Sequence, residues 1–299
     1  MKFAAIDIGS NAVRLLFSNV YDENGAVYFK KAELIRVPLR LGEDSFLNGK
    51  ISAKKIDKLV TSMIAFKHLI DVYDALDYRA CATSAIRDAE NRWDIIERVR
   101  KESGIKIEII DGKTEADIIF SNHIEEHLDK DNAYLYIDIG GGSTEITLFS
   151  KNKAIVSQSF NIGTIRMLHN QIDKDYWNYF KNWVREITKG YKPLIAIGSG
   201  GNINKLFRMS GKKLNKPFAT SKLKSLYELL DSYTYEERIK ILGLNPDRAD
   251  VIIPASKILL SVLKNAEIEK IIVPQIGLSD GIVHQLYEKY KENKFAEKI

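Results

Sequence analysis

The sequence predicts an α/β protein built from two copies of one βββαβα unit facing a common cleft. Two observations carry this expectation. FAAIDIGSNAVRLLFSNV (3–20) and YLYIDIGGGSTEITLFSK (134–151) each run apolar strand, Asp-Ile-Gly, small polar turn, second strand. Each copy then leads into a third strand and helices, the mark of an internal duplication. The 299 residues also suit two domains of roughly 100–200 residues each. The expected division is 1–128 and 129–299, with the last helix able to pack back on the first domain.

In chain order, residues 2–8, 12–20 and 26–37 are rich in Val, Ile, Phe and Leu and read as strands, with Gly25 in the second connection. RLGEDSFLNG (40–49) reads as a loop. Ser52 caps an amphipathic helix to about Tyr73, whose apolar face is Ile56, Leu59, Val60, Met63, Ile64 and Phe66. A strand near 78–83, a helix over 91–102, the strand IKIEII (105–110) and a helix over about 114–128 complete the first copy. After the polar break DKDN (129–132) come strands near 133–139, 144–150 and 153–159. Helices near 164–171 and 175–189, the strand PLIAI (193–197) and a helix from about 202 follow. Thr220 and the Thr234–Glu237 capping box open later helices, and Pro246 suits the first position of another. IEKIIV (268–273) is the last strand and a helix from Ser279 the last element, with disorder expected only in the Lys-rich segment after Tyr290.

Composition narrows the function classes. Hydrophobic residues make up 45% and charged residues 28%, ordinary for a soluble globular enzyme. The single cysteine, Cys81, excludes an intrachain disulfide and suits a reducing cytoplasm. MKFAAIDIGS, interrupted by Asp7, does not read as a signal peptide, and no stretch approaches the ~20 apolar residues of a membrane span. A net charge of +5 suits an anionic substrate but is too small to argue for nucleic acid, so no DNA partner is expected.

Asp7-Ile8-Gly9-Ser10-Asn11 and Asp138-Ile139-Gly140-Gly141-Gly142-Ser143-Thr144 share one logic. Glycines let backbone N–H groups approach an anion, and the hydroxyls add donors. Asp cannot donate to phosphate; its suitable task is to hold a hydrated Mg²⁺. Tight hairpin turns also favour Asp and Gly, but two copies with Asp at the same offset argue for phosphate. Gly198-Ser199-Gly200-Gly201 lies between a strand and a helix, where helix N–H groups and dipole point at an anion; a packing turn is the alternative. A Walker A loop fails because Ile107 stands where it needs Gly, and GxGxxG fails because Glu145 and Ile203 take the third glycine place.

Glu145 follows the second turn directly. Glu115 lies in the first turn of its helix, and the residues alone leave it either a catalytic group or a carboxylate complementing the helix dipole. His123 to His127 matches HxxEH but reads as a solvated helix end without a third ligand. Cys81 reads as a buried strand residue. Lys205, Arg208, Lys212, Lys213, Lys216, Lys222 and Lys224 form a basic stretch, by default a solvated face, that could also attract a polyanion.

Six blocks in order, DIGSNAVRL (7–15), ATSAIRDAENR (82–92), EIIDGKTEADIIF (108–120), DIGGGSTEI (138–146), IGTIRML (162–168) and IGSGGNINKL (197–206), resemble the exopolyphosphatase/guanosine pentaphosphate phosphohydrolase family of the actin, sugar kinase and Hsp70 superfamily. The resemblance implies two ribonuclease H-like, actin-like domains, and hydrolysis of terminal phosphate from polyphosphate or guanosine pentaphosphate with a divalent cation. It implies Glu115 as general base and Asp138 and Glu145 as metal-associated acids, Glu145 counting among the catalytic residues with Glu115; the turn chemistry above adds Asp7 to the metal-holding acids. Ser10, Asn11, Arg14, Ser84, Arg87, Gly140, Gly141, Gly142, Ser143, Thr144, Arg166, Gly198, Ser199, Gly200 and Gly201 would grip phosphate. It also implies a homodimer.

The sequence departs from the family at Thr114-Glu115-Ala116-Asp117, where Glu-Glu-Ala-Arg is common, at Ala12 for Ser, and at Ser279-Asp280 for Arg-Glu. It also lacks the helical C-terminal extension of longer relatives, which favours short polyphosphate or a guanosine substrate. Two rival readings remain: an ATP-dependent kinase or ATPase of the same fold, and a non-catalytic alarmone sensor motivated by residues 279–280.

Overall fold

Both copies of the repeated segment fold as a central strand, a tight turn and an antiparallel partner strand. The structure is a computed structural model that describes residues 1–23, 26–122, 129, 131–151, 153–214 and 216–296. The first copy runs β1 (Lys2–Ile8), β2 (Val13–Glu23), β3 (Ala26–Val37), α1 (Leu41–Asn48), α2 (Ala53–Val72), β4 (Asp77–Ala82), α3 (Ser84–Arg87), α4 (Arg92–Ser103), β5 (Ile107–Ile109) and α5 (Gly112–Phe120). The second runs β6 (Ala133–Ile139), β7 (Thr144–Ser150), β8 (Lys153–Phe160), α6 (Thr164–Leu168), α7 (Lys174–Thr188), β9 (Leu194–Ser199), α8 (Gly201–Met209), β10 (Phe218–Ala219), α9 (Thr220–Asp231), α10 (Tyr235–Lys240), α11 (Pro246–Ala249), α12 (Ile252–Asn265) and β11 (Lys270–Ile272). α13 (Leu278–Ala296) follows.

The sheets are ordered β3-β2-β1-β4-β5 and β10-β11-β9-β6-β7-β8. In each, three antiparallel strands are followed by strands parallel to the central one. The second sheet repeats the order of the first and adds the short antiparallel β10 at its edge. A mixed sheet of this order, made twice, is the ribonuclease H-like plan of actin-like proteins.

The chain divides into Met1–Asn122 with Gly277–Ile299, and His123–Ile276. In the first unit, Ile6, Ile8, Leu15 and Phe17 pack with Leu59, Met63 and Phe66 of α2 and Ile95 and Val99 of α4. α13 adds Tyr287 and Tyr290 edge-on to Phe3, with ring centroids 6.5 and 5.9 Å away, and the Tyr287 hydroxyl donates to Asp22 at 2.7 Å. In the second unit, Leu135, Ile137, Ile146 and Leu148 share a core with Phe180 and Val184 of α7 and Ile258, Leu259 and Val262 of α12.

Several local expectations are corrected. Residues 41–48 are a helix rather than a loop. Arg40 and Gly49 bracket it in left-handed conformation, and its buried Leu41, Gly42 and Ser45 do not form a recognisable apolar stripe. Its acids Glu43 and Asp44 bind Lys55 of α2 at 3.2 and 2.7 Å, a tertiary tie that local pattern does not reveal. Ser52 precedes α2, but its side chain makes no cap bond. Thr220 does open α9, as expected, and its hydroxyl donates to Ile268 O. The helix expected over 164–171 stops at Leu168, and the segment after Tyr290 is helical to Ala296. Thr234 and Glu237 do form the capping box, and Pro246 opens α11. Gly25, and the end of the 114–128 helix with its HxxEH pattern, lie outside the described residues.

α13 crosses α5 closely. A Cβ on Gly281 would lie 1.8 Å from Ile118 O, and Ser121 Oγ donates to Ile118 O at 2.6 Å and to Gly281 O at 3.3 Å. Gly281→Ala must push the two helices apart. Urea unfolding is expected to show a loss of about 2–3 kcal/mol, as for overpacked cores; unchanged stability would mean that α13 does not seat as described.

Candidate active site

Asp7 and Asp138 occupy the same place, the penultimate residue of the central strand in each unit. Their cross-strand partners differ. Asp7 lies opposite Arg14 on β2, and Asp138 opposite Glu145 on β7. The register rows continue outward to Arg36 in the first unit and Ser159 in the second.

In the first unit the turn closes with Gly9 N donating to Ala12 O at 3.2 Å. The start of α1 braces it, because Gly42 N and Arg40 N donate to Ser10 O and Asn11 O at 2.8 and 3.0 Å. Ser10 and Ser84 share a buried hydroxyl–hydroxyl bond of 2.9 Å. Arg14 Nη1 donates to Asp7 Oδ2 at 2.6 Å, so two expected ligand residues bind each other. Arg87 Nη1 donates to Ile110 O at 2.9 Å, where β5 ends.

Asp111 then caps α5, accepting from Thr114 N at 2.7 Å, and so sets Glu115 in the first turn. Cys81 sits in register between Asp7 and Glu108. Burial first, then the charges of Glu108, Asp7 and Glu115, opposed by Arg79, push its thiol up to about 12. It is a protonated, inert thiol, and Glu115 lies close enough to this row for its charge to be felt there.

In the second unit the turn closes the same way, Gly140 N to Ser143 O at 3.0 Å. The start of α6 takes the loop carbonyls: Thr164 N donates to Gly140 O (3.1 Å), Ile165 N to Gly141 O (2.8 Å) and Arg166 Nε to Gly142 O (2.9 Å). Among the described residues, the amides of Gly141, Gly142 and Ser143 have no protein acceptor. Carbonyls held by α6 and amides without a protein acceptor are the backbone pattern of an anion nest. Only glycine fits at position 163, where a Cβ would lie 2.3 Å from Gly141 O.

The third loop packs on the acid. Gly200 has φ +101°, and a Cβ there would lie 2.9 Å from Asp138 Oδ1 and 2.7 Å from Ile139 O. Arg248 donates to Gly201 O, and Ser199 Oγ to Ile276 O at 2.8 Å. Gly198 admits Ile203 and Ile271 side chains that a Cβ would strike at 2.9 Å. Thr144 is fully buried and gives its hydroxyl proton to Ile162 O, so it fixes the loop. Glu145 is 2% exposed and accepts from Ser159 Oγ at 2.8 Å.

The structure thus gathers Asp138, Glu145, the Gly140–Ser143 nest and the Gly198–Gly201 loop in the second unit. Ser10, Asn11, Arg14, Asp7, Ser84, Arg87 and Glu115 lie in the first. Sequence reading missed three contributors. Asp111 had a cap signal, Asp three residues before Thr114. Gly163 and Ser159 act through contacts only a fold reveals.

Fold and loops together define a protein of the phosphate-handling actin-like class. A sequence profile of the Ppx/GppA phosphatase family matches residues 23–290, and the chain belongs to that family. It is 24% identical over 303 residues to exopolyphosphatase 1 of Mycobacterium bovis, covering 95% of this chain and 87% of that protein. It is 25% identical to the guanosine-5'-triphosphate,3'-diphosphate pyrophosphatase of Photobacterium profundum, covering 99% of this chain and 61% of that one. The crystal structure of an exopolyphosphatase from Cytophaga hutchinsonii superposes with a TM-score of 0.84 at 25% identity, covering 97% of this chain and 98% of that one.

Two outcomes are expected from this geometry. Asp111→Ala removes the cap of the Glu115 helix and should cost about 1 kcal/mol. The Thr114 amide holds the Asp111 carboxyl below its usual range, so the cap's contribution is complete above the unfolded carboxylate range and lost as pH falls through the lowered value. Denaturation of wild type and variant should differ at neutral pH and converge in acid; a gap that widened in acid would contradict this. Gly200→Ala, strained in φ and pressed on Asp138, should lower both melting temperature and divalent-cation binding, read by calorimetry.

Proposed function

We propose that this protein is a phosphohydrolase that releases terminal orthophosphate from inorganic polyphosphate, short chains favoured, or from guanosine pentaphosphate. The observation that carries the reading is the acid pair Asp138–Glu145 set beside a glycine nest with open amides. Membership of the Ppx/GppA phosphatase family supports it, as do the names of its exopolyphosphatase and guanosine pentaphosphate pyrophosphatase relatives.

Two carboxylates in cross-strand register fit a Mg²⁺ that keeps several waters. Among the described residues there is no cluster of three or more metal-ligating side chains. Asp7, committed to Arg14, is the lesser candidate ligand. Bound at Asp138 and Glu145, Mg²⁺ would neutralise charge on phosphate oxygens.

The chain's own groups do the rest. Glu115 accepts a proton from water as its oxygen attacks the terminal phosphorus in line, and the bond to the leaving phosphate oxygen breaks. The Gly141, Gly142 and Ser143 amides stabilise charge on the transferred group.

No described helix is long and apolar enough to cross a membrane, and the lone cysteine suits a cytoplasmic setting. At Asp280, one of the two departures that motivate the sensor reading, the carboxylate accepts from Gly277 N at 3.0 Å, capping α13, and pairs with Lys31 at 2.8 Å.

Phosphate release from short polyphosphate and from guanosine pentaphosphate, with Mg²⁺, tests the proposal. Glu115→Gln should lower release by at least ~100-fold while substrate binding survives. Wild-type protein that binds either substrate yet releases nothing from both would sink the hydrolase reading.

A further inference from the structure

Ser159 has no part in the reading above, yet it touches the buried acid on which that reading depends. It lies directly opposite Glu145 in the β7–β8 register and donates Oγ–H to Glu145 Oε1 at 2.8 Å. The polar row Ser199, Asp138, Glu145, Ser159 runs at one level across β9, β6, β7 and β8. The first unit has at the same level Asp7, Arg14 and Arg36. The duplicated frame thus places a cation beside the acid in one unit, and a second acid with a hydroxyl behind it in the other.

A carboxylate at the end of a Glu side chain rotates about its last bond, and a ligand that rotates binds a cation less well than one held. Outer partners of metal-ligating carboxylates supply that hold, and their loss typically costs 10–100-fold in affinity. Two residues further along the same strands, Thr147 and Ser157 form a hydroxyl–hydroxyl bond of 2.8 Å that touches no carboxylate. That pair is an internal control for a bond that merely joins β7 to β8.

We propose that Ser159 is a positioning residue for Glu145, fixing the orientation of its carboxylate toward the divalent cation held with Asp138. The proposal rests on the reading of Asp138 and Glu145 as metal-holding acids. Ser159 touches neither substrate nor cation; it acts through Glu145.

Calorimetric titration of the full chain with Mn²⁺, without substrate, tests it on wild type, Ser159→Ala, Ser159→Thr and Ser157→Ala. Ser159→Ala should weaken Mn²⁺ binding about 10-fold, Ser159→Thr should restore most of it, and Ser157→Ala should stay within about twofold of wild type. In phosphate-release assays the Mg²⁺ concentration for half-maximal rate should rise in parallel for Ser159→Ala, with kcat largely recovered at saturating Mg²⁺. Wild-type binding that Ser159→Ala leaves unchanged would overturn the positioning role alone. Equal weakening by Ser157→Ala would also overturn it, making the effect one of strand pairing. Absence of Mn²⁺ binding by wild type would overturn the metal assignment and this role with it.

Discussion

Like charges set directly opposite one another on adjacent strands repel, and the β6–β7 register holds Asp138 and Glu145 in that arrangement. Much of the second unit is organised around keeping the pair in place. The tight Gly140–Ser143 turn fixes the register, α6 clamps the turn by its carbonyls, and the third loop closes on Asp138 through a residue that must be glycine. The proposed divalent cation would relieve that repulsion, with Asp138 and Glu145 as its protein ligands. The first unit, with the same strand plan, resolves the same position by placing Arg14 against Asp7. The same strand plan thus carries a different cross-strand partner in each unit, Arg14 in the first and Glu145 in the second.

The large features were legible because they depend on local pattern. The repeated Asp-Ile-Gly turns announced both central strands, and capping chemistry placed α10 and α11. Features that depend on tertiary partners were not legible. α1 is held by Lys55 and by a left-handed Arg40, neither of which marks a helix in sequence. Ser159 is an ordinary strand serine until register brings it to Glu145. Gly163 and Gly281 are glycines because another backbone passes within a methyl's reach, and that backbone is 22 residues away in one case and 163 in the other by the numbering of Gly141 and Ile118.

Most of the hydroxyls and guanidiniums that resemblance assigned to phosphate make hydrogen bonds within the protein. Ser10 binds Ser84, Thr144 binds Ile162 O, Arg14 binds Asp7 and Arg87 binds Ile110 O. The amides of the second loop are different, since their carbonyls are held and their protons face no protein acceptor. Substitutions such as Ala12, whose side chain is buried, then disturb packing around a turn more than they remove a donor.

The return of α13 to the first unit bears on how the chain is made. Residues 123–276 form one uninterrupted unit, whereas the first unit waits for residues 278–296 to cover Phe3 and to seat against α5. A ribosome therefore releases every residue of the second unit before the first has its closing helix. During that interval one face of β1 is uncovered apolar surface, the kind that recruits chaperones and favours misassembly. The unit whose strands are made earlier is the later to be finished.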